Sequence, residues 1–388
     1  DRANGVDPWL QDWLKGFSAP APYIPAKPDD VAAIWPSGGT TGRSKGVMLT
    51  HLNFTTMIAN FCAYMHDDEP PVHLIAAPMT HAAGSIAFPL LAMGATQVIV
   101  PRADPLAIMQ AIQTHRVTTL FLPPTVIYAM LAHPQVRAFN YQSLKYFIYA
   151  AAPMSSEKLK EAIAIFGSVM AQTYGQAESP MLCTFLSPQD HDVVGNPSLE
   201  RRLQSCGRPT VFTPVEIMDD EGNLLGPEQA GEIVTRGNLV MKGYYNNPEA
   251  TEQASTFGWH HTGDVGLKDA DGYVYIVDRK RDMIISGGFN LYPSEIEQVI
   301  WSHPSVQDCA VIGVPDEKWG EAVKAVVELK TGESVSPDEI MAFCRERLGG
   351  MKTPKTVEVW AQLPRSAVGK VLKKDIREPF WVGQTRRV

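Results

Sequence analysis

Apolar and polar positions follow one another along this chain in three textures. Between Val72 and Val215, apolar runs of strand length at Val72 to Ala77, Thr96 to Val100, Thr118 to Leu122, Tyr146 to Tyr149 and Val169 to Thr173 are separated by helical spacing, as in Pro105 to His115 and Ser156 to Phe166. Strands alternating with helices predict a largely parallel α/β sheet, in which ligands gather at the carboxyl ends of strands. Beyond Gly207-Arg208-Pro209 the pattern changes to short strands and tight turns, with turn residues at Asp219 to Asn223 and Asp269 to Gly272. After the charged run Asp278-Arg279-Lys280-Arg281-Asp282 a compact α+β pattern follows. It has a helix opened by the capping pair Ser294 and Glu297, then strands at Val306 to Val314 and Ala322 to Leu329. A further helix opens at Ser336-Pro337-Asp338-Glu339, turns Ile340, Phe343, Cys344 and Leu348 inward, and ends at Gly349-Gly350. Upstream, Val31 to Trp35 and Gly46 to Thr50 read as two strands around a glycine-rich stretch, and helical spacing then places Phe54, Ile58, Phe61, Cys62 and Met65 on one face.

Composition narrows the classes. A chain of 388 residues implies two or more units with sizeable cores. A formal net charge of -8 argues against nucleic acid and against an electrostatic hold on anionic lipid. The cysteines at 62, 183, 206, 309 and 344 lack metal-ligand spacing and read as reduced, buried thiols of a cytoplasmic protein. The most apolar stretch, Ile86 to Val100, is broken by Pro89 and Gly94 and is shorter than the ~20 residues of a spanning helix, so no transmembrane segment is expected. Pro20, Pro22, Pro25 and Pro28 read as an extended linker into the glycine-rich stretch.

That stretch carries the first chemistry. Ser37-Gly38-Gly39-Thr40-Thr41-Gly42-Arg43-Ser44-Lys45-Gly46 combines free backbone N–H groups, short hydroxyl donors and two cations, which suits a polyphosphate. It is not the P-loop of the common NTPases, because Lys45 is followed by Gly46 and a strand rather than by Ser or Thr and a helix. Four further features fall at the carboxyl ends of strands: His81 with Gly84, Pro123-Pro124-Thr125, Ala150 to Met154, and Tyr174-Gly175-Gln176-Ala177-Glu178. Taken alone, His81 after a strand is more often a packed or capping histidine than a functional one, and Asp264 reads by default as a turn residue.

In order along the chain, these segments resemble those of the adenylate-forming enzymes, and within them the acyl-CoA and aryl-CoA ligases most closely. The segments are the Ser37 to Gly46 loop, Tyr149-Ala150-Ala151-Ala152-Pro153-Met154, Tyr174 to Glu178, Gly231 to Gly237 continuing to Met241-Lys242-Gly243-Tyr244-Tyr245, Trp259-His260-His261-Thr262-Gly263-Asp264, Ser286-Gly287-Gly288-Phe289-Asn290 and Leu363 to Val371. The resemblance implies an α/β large domain, with parallel sheet layers and a small β-rich subdomain, over residues 1–280. It implies a separate α+β carboxyl-terminal lid domain over 281–388, with a hinge at Arg281. ATP would be held by Ser37, Gly38, Gly39, Thr40, Thr41, Gly42 and Lys45 at the phosphates and by Ala150, Ala151, Ala152, Pro153, Tyr174, Gly175 and Gln176 at the base. Asp264 and Arg279 would take the ribose, Glu178 and Thr41 the Mg²⁺, and Gly287 and Gly288 would let the pantetheine of CoA pass. Lys370 would be the catalytic lysine, acting with Glu178, Thr41 and Lys45. Two departures stand out: Ala177 where the family usually has threonine, and Ala150 where it has glycine.

The implied activity is ATP-dependent ligation of a carboxylic acid to CoA through an acyl-AMP. The pocket segments around His81, Gly84, Tyr149 and Tyr174 are apolar or aromatic, which suggests a fatty or aromatic acid. The alternative is a non-catalytic or half-reaction nucleotide-binding fragment of such an enzyme. The family also carries a longer stretch ahead of the loop, so the large domain is expected to be completed by an amino-terminal fragment or to have been separated from it. Homo-oligomerisation is left open.

Overall fold

Strand-length apolar runs joined by helical crossovers pair in parallel, and their faces must then be covered on both sides. In the computed structural model, which describes residues 10–17, 19, 24–37, 44–80, 82–152, 154–193, 196–365 and 371–382, the central runs form one seven-stranded sheet. Its order is Thr96–Ile99, Val72–Ile75, Thr119–Leu122, Tyr146–Tyr149, Met170–Gln176, Ser179–Leu186 and Arg208–Pro209. The first four pairings are parallel and the last two antiparallel. Successive residues face opposite sides: Leu120, Leu122 and Phe147 pack with Ile108, Ile112 and Leu159, while Phe121 and Ile148 pack with Phe61, Ile86 and Leu90.

The crossover helices begin and end where local chemistry dictates. Asp104 caps Pro105–His115 by accepting from the Ala107 N–H at 2.8 Å, and the helix stops at Arg116, whose φ of 52° is left-handed. Thr50 and Asn53 form a reciprocal capping box at the start of His51–Tyr64. The buried face of that helix differs from the expected stripe. It runs through Asn53, Thr56, Met57, Asn60 and Phe61, and Cys62 is exposed rather than buried. Two asparagines are drawn inside because the neighbouring chain supplies partners: Asn53 Nδ2 donates to the Asn238 and Val240 carbonyls at 2.8 Å each, and Asn60 Nδ2 donates to Thr213 Oγ1 at 2.9 Å. Polarity alone could not mark them as core, since a buried amide is stable once its donors and acceptors are met.

Three smaller sheets complete the described chain. Val31–Pro36 and Gly46–Thr50 pair antiparallel around the glycine-rich loop, with Gly243–Tyr244 as third strand. Val215–Met218, Gly231–Thr235, His260–Lys268 and Val274–Arg279 form an antiparallel four-stranded sheet. The last sheet joins Phe289–Leu291, Ile284–Ser286, Gly320–Leu329 and Val306–Asp316, with Thr356–Trp360 added in parallel to Gly320–Leu329, a strand the sequence pattern did not single out. Ile296 and Ile300 of Pro293–Trp301 and Ile340 and Cys344 of Pro337–Lys352 pack on its face.

The expected Ser294 and Glu297 capping pair is not formed. The helix starts two residues earlier, with Tyr292 as N-cap and Pro293 in the first turn. Glu297 is buried and instead binds the Lys373 ammonium at 2.8 Å and the Val311 N–H at 2.7 Å. No described helix is long and apolar enough to cross a membrane.

Burial pushes the imidazoles of His73, His191 and His260 down to about 4 each. Unfolded, they would take protons near pH 6.5, so the neutral buried forms stabilise the fold above that pH, and the contribution is lost as pH falls toward 4. Stability should drop over that window with a slope on the order of 1.4 kcal/mol per pH unit for each histidine. Urea midpoints at pH 7 and pH 5 check this; equal midpoints would rule it out.

Candidate active site

Strand register places the first group of polar side chains. Asp264 and Arg279 are direct partners across the His260–Lys268 and Val274–Arg279 strands, and the Arg279 Nε lies 2.6 Å from Asp264 Oδ1. Tyr174, on the last parallel strand of the large sheet, donates its hydroxyl to Asp264 Oδ2 at 2.7 Å. Asp264 is only 3% exposed, so an ionised carboxylate there requires such donors. Burial first, and then the Asp264 charge, raise the Tyr174 phenol well above its ordinary pKa and keep it a donor. A second tie runs alongside, from Gln176 Nε2 to the Thr262 carbonyl at 3.2 Å. A cleft of about 430 Å³ opens beside this group, lined by Thr262, Gly263, Arg279, Lys280 and Arg281. A carboxylate offers roughly four acceptor sites. Two are taken, and the remainder can accept the hydroxyls of a sugar.

A second group is built around the turn that follows. Gln176 pairs with Ser179 across the Met170–Gln176 and Ser179–Leu186 hairpin, which puts Glu178 in the connecting turn. Glu178 is buried at 7% exposure, and its Oε1 accepts from the Tyr244 hydroxyl at 2.8 Å. Burial and then the Glu178 charge raise the Tyr244 pKa, so this phenol too stays protonated. The Lys45 ammonium sits 4.5 Å from the centroid of the same Tyr244 ring, within cation–π range. Lys45 is itself fixed at the base of the glycine-rich loop. Its N–H donates to Ser37 Oγ at 2.9 Å and its carbonyl accepts from the Ser37 N–H at 2.8 Å, while Ser44 Oγ donates to the Ser37 carbonyl at 2.9 Å.

Among the described residues no three His, Cys, Asp or Glu side chains cluster as a metal cage. One carboxylate near the base of the glycine-rich loop nevertheless suits Mg²⁺, which keeps several waters and is held through one or two carboxylates plus phosphates. Glu178, with Oε1 committed to Tyr244, fits that role.

Other expected site residues fall elsewhere. Tyr149 does not line an open pocket; it is 1% exposed in the core, and its hydroxyl meets His191 Nε2 at 2.9 Å. The strand register puts it on the same face as Leu122 and Phe147, so its aromatic character serves packing. Gly84 lies inside helix Ala82–Ala92 against the chain of Met79, where a Cβ would come within 1.9 Å of the Met79 carbonyl oxygen. Ala150 is buried, and the following Ala151 has φ of 74°, a left-handed strain of order 1 kcal/mol held at the strand's carboxyl end. Gly287 and Gly288 form the turn of the Ile284–Ser286 and Phe289–Leu291 hairpin, at φ of 60° and 83°. A Cβ on Gly287 would lie 2.6 Å from the Trp319 ring. Gly38, Gly39, Thr40, Thr41, Gly42, His81, Pro153 and Lys370 lie outside the described residues. Tyr244 was not singled out from the sequence; its signal was its place in the Met241 to Tyr245 segment, directly after Gly243.

Comparison with known proteins bears on the family to which the chain belongs. The family model described as AMP-binding enzyme matches residues 2–245, and the AMP-binding enzyme C-terminal domain model matches 295–370. The medium/long-chain-fatty-acid–CoA ligase FadD8 of Mycobacterium tuberculosis is 39% identical over 95% of this chain, which spans 65% of that relative's length. A feruloyl-CoA synthase of Amycolatopsis sp is 39% identical over 92% of this chain and 72% of its own. The ATP-bound structure of MatB from Rhodopseudomonas palustris superposes with a TM-score of 0.85 at 32% identity, covering 96% of this chain and 72% of that one.

The hydrogen bond from Tyr244 to Glu178 should be readable in stability. Removing the hydroxyl in Tyr244→Phe leaves a buried carboxylate short of a donor, at a cost of about 1–3 kcal/mol. Urea denaturation of the variant checks this, and a midpoint matching wild type would show the bond to be dispensable.

Proposed function

The chain belongs to the AMP-binding enzyme family, and from that premise we propose that it is an ATP-dependent carboxylate–CoA ligase acting on a fatty or aromatic acid. The observation that carries this reading is the pair of groups around one seam: an acceptor carboxylate at Asp264, and a buried carboxylate with a cation, Glu178 and Lys45, around Tyr244 at the base of a glycine-rich loop.

In the first step a carboxylate oxygen of the acid attacks the α-phosphorus of ATP and expels pyrophosphate, leaving acyl-AMP. Two anions must meet, so charge neutralisation dominates the barrier. Asp264 accepts the ribose hydroxyls with Arg279 beside it, and Tyr174 and Gln176 flank the base. Lys45 and the loop from Ser37 hold the departing pyrophosphate, and Lys370 neutralises the incoming carboxylate and the α-phosphate. Glu178 and Thr41 would hold Mg²⁺, which when bound would spread charge over the phosphates. In the second step the CoA thiol attacks the acyl carbon, the thioester forms and AMP leaves.

Lys370 is needed in the first step and must leave before the second, which gives a purpose to a mobile lobe. We place the large domain at residues 1–280 and the lid at 281–388, pivoting at Arg281. The support is that the four-stranded sheet ends with Val274–Arg279 and the next sheet starts with Ile284–Ser286.

Release of pyrophosphate and AMP that depends on added acid, across a panel of fatty and aromatic acids, tests the activity. Nucleotide binding without any acid-dependent release would favour a nucleotide-binding role instead. Lys370→Ala should cut acyl-AMP formation by orders of magnitude while sparing transfer from preformed acyl-AMP to CoA; equal loss in both half-reactions would defeat the assignment. Arg281→Pro, by fixing φ at the pivot, should keep one half-reaction and lose the other, and full overall turnover in that variant would refute the pivot.

A further inference from the structure

Helix Pro293–Trp301 begins without help from its own sequence. Its N-cap, Tyr292, makes no side-chain capping bond, and Pro293 has no N–H to offer. The open N–H of Ser294 is taken instead by Asp278, whose Oδ2 accepts it at 2.8 Å, and the Ser294 hydroxyl donates to the Val277 carbonyl. Asp278 is 7% exposed, and its other oxygen accepts from the Arg279 N–H at 2.7 Å. Both acceptors, Val277 and Asp278, lie on the strand Val274–Arg279, before Arg281. Both donors lie after it.

We propose that Asp278 is a positioning residue that latches the small lobe in the arrangement seen here by capping helix Pro293–Trp301 across the hinge. The inference rests on the two-lobe reading with its pivot at Arg281. A rotation about residue 281 carries Ser294 away from residues 277 and 278, so these bonds exist in one arrangement and are lost in the other.

The other charges at the junction do not share this fate. Glu297 binds Lys373 at 2.8 Å and Asp282 binds Arg377 at 3.0 Å, and all four residues follow the pivot. These pairs travel with the lobe, whereas Asp278 and the Ser294 N–H part company. Asp278 is also felt by Lys373. Burial works against that ammonium, but Glu297, then Asp278 and Asp282, outweigh it and hold its proton more tightly than in an ordinary lysine. A carboxylate at a helix N-terminus further gains from the helix dipole. The latch therefore biases the equilibrium between arrangements without touching a substrate.

The test uses the full chain with one label on the exposed Cys62 and a second on Glu346→Cys, an exposed position of Pro337–Lys352. Distance distributions are compared for otherwise wild-type protein, Asp278→Asn and Ser294→Ala, after thermal melts confirm that each is folded. The expected result is a population shift of about fivefold away from the present arrangement, the scale of losing one helix cap. Acyl-AMP formation and transfer from preformed acyl-AMP to CoA should change in opposite directions, whereas a general structural lesion lowers both. Identical distance distributions in all three proteins overturn the latch. Because the distance readout needs no turnover, its failure and a failure of the ligase reading are seen separately.

Discussion

An ionised carboxylate buried to 3% exposure must be met by donors wherever the chain can bring them, and Asp264 draws its donors from two different sheets. Arg279 comes from the neighbouring strand by register. Tyr174 comes from the end of the large parallel sheet. The carboxylate thereby pins the four-stranded sheet to the carboxyl ends of the parallel strands, where an α/β sheet presents its ligand crevice.

The same physical logic repeats at Glu178. Its donor, Tyr244, belongs to the three-stranded sheet that also carries the base of the glycine-rich loop, and the Lys45 ammonium rests on the ring of that tyrosine. Each bond that satisfies a buried charge also fixes a residue the proposed chemistry uses. Both phenols are held protonated by burial and by the neighbouring carboxylate, so neither competes as a base. A site assembled this way is rigid at the nucleotide end, which suits a reaction whose barrier is set by positioning and charge.

The proposed pivot lies elsewhere, in the connection after Arg279. The small lobe carries its own sheet, core and internal ion pairs, so it can move as a body. Ser294 reaches back across the proposed pivot with a pair of hydrogen bonds, one to Asp278 and one to the Val277 carbonyl. Contacts of that size can bias an equilibrium without locking it.

The sequence alone determined the layout of elements. The βα alternation, the helix Pro105–His115 and the strands around the glycine-rich loop could all be read locally, because periodicity and turn residues are written in adjacent positions. The candidate residues Tyr174, Glu178, Asp264 and Arg279 could be named from their motifs. Only the tertiary structure decided their partners: Tyr174 and Asp264 are 90 positions apart, and Glu178 and Tyr244 are 66 apart. It also decided that Tyr149 packs inward, that Asn53 and Asn60 are core, and that Ser294 is capped by Asp278 rather than by Glu297. Those outcomes depend on which distant donor or acceptor arrives at a given point, and no local pattern carries that information. The cost of leaving a buried polar group unpaired is what makes the arrival decisive.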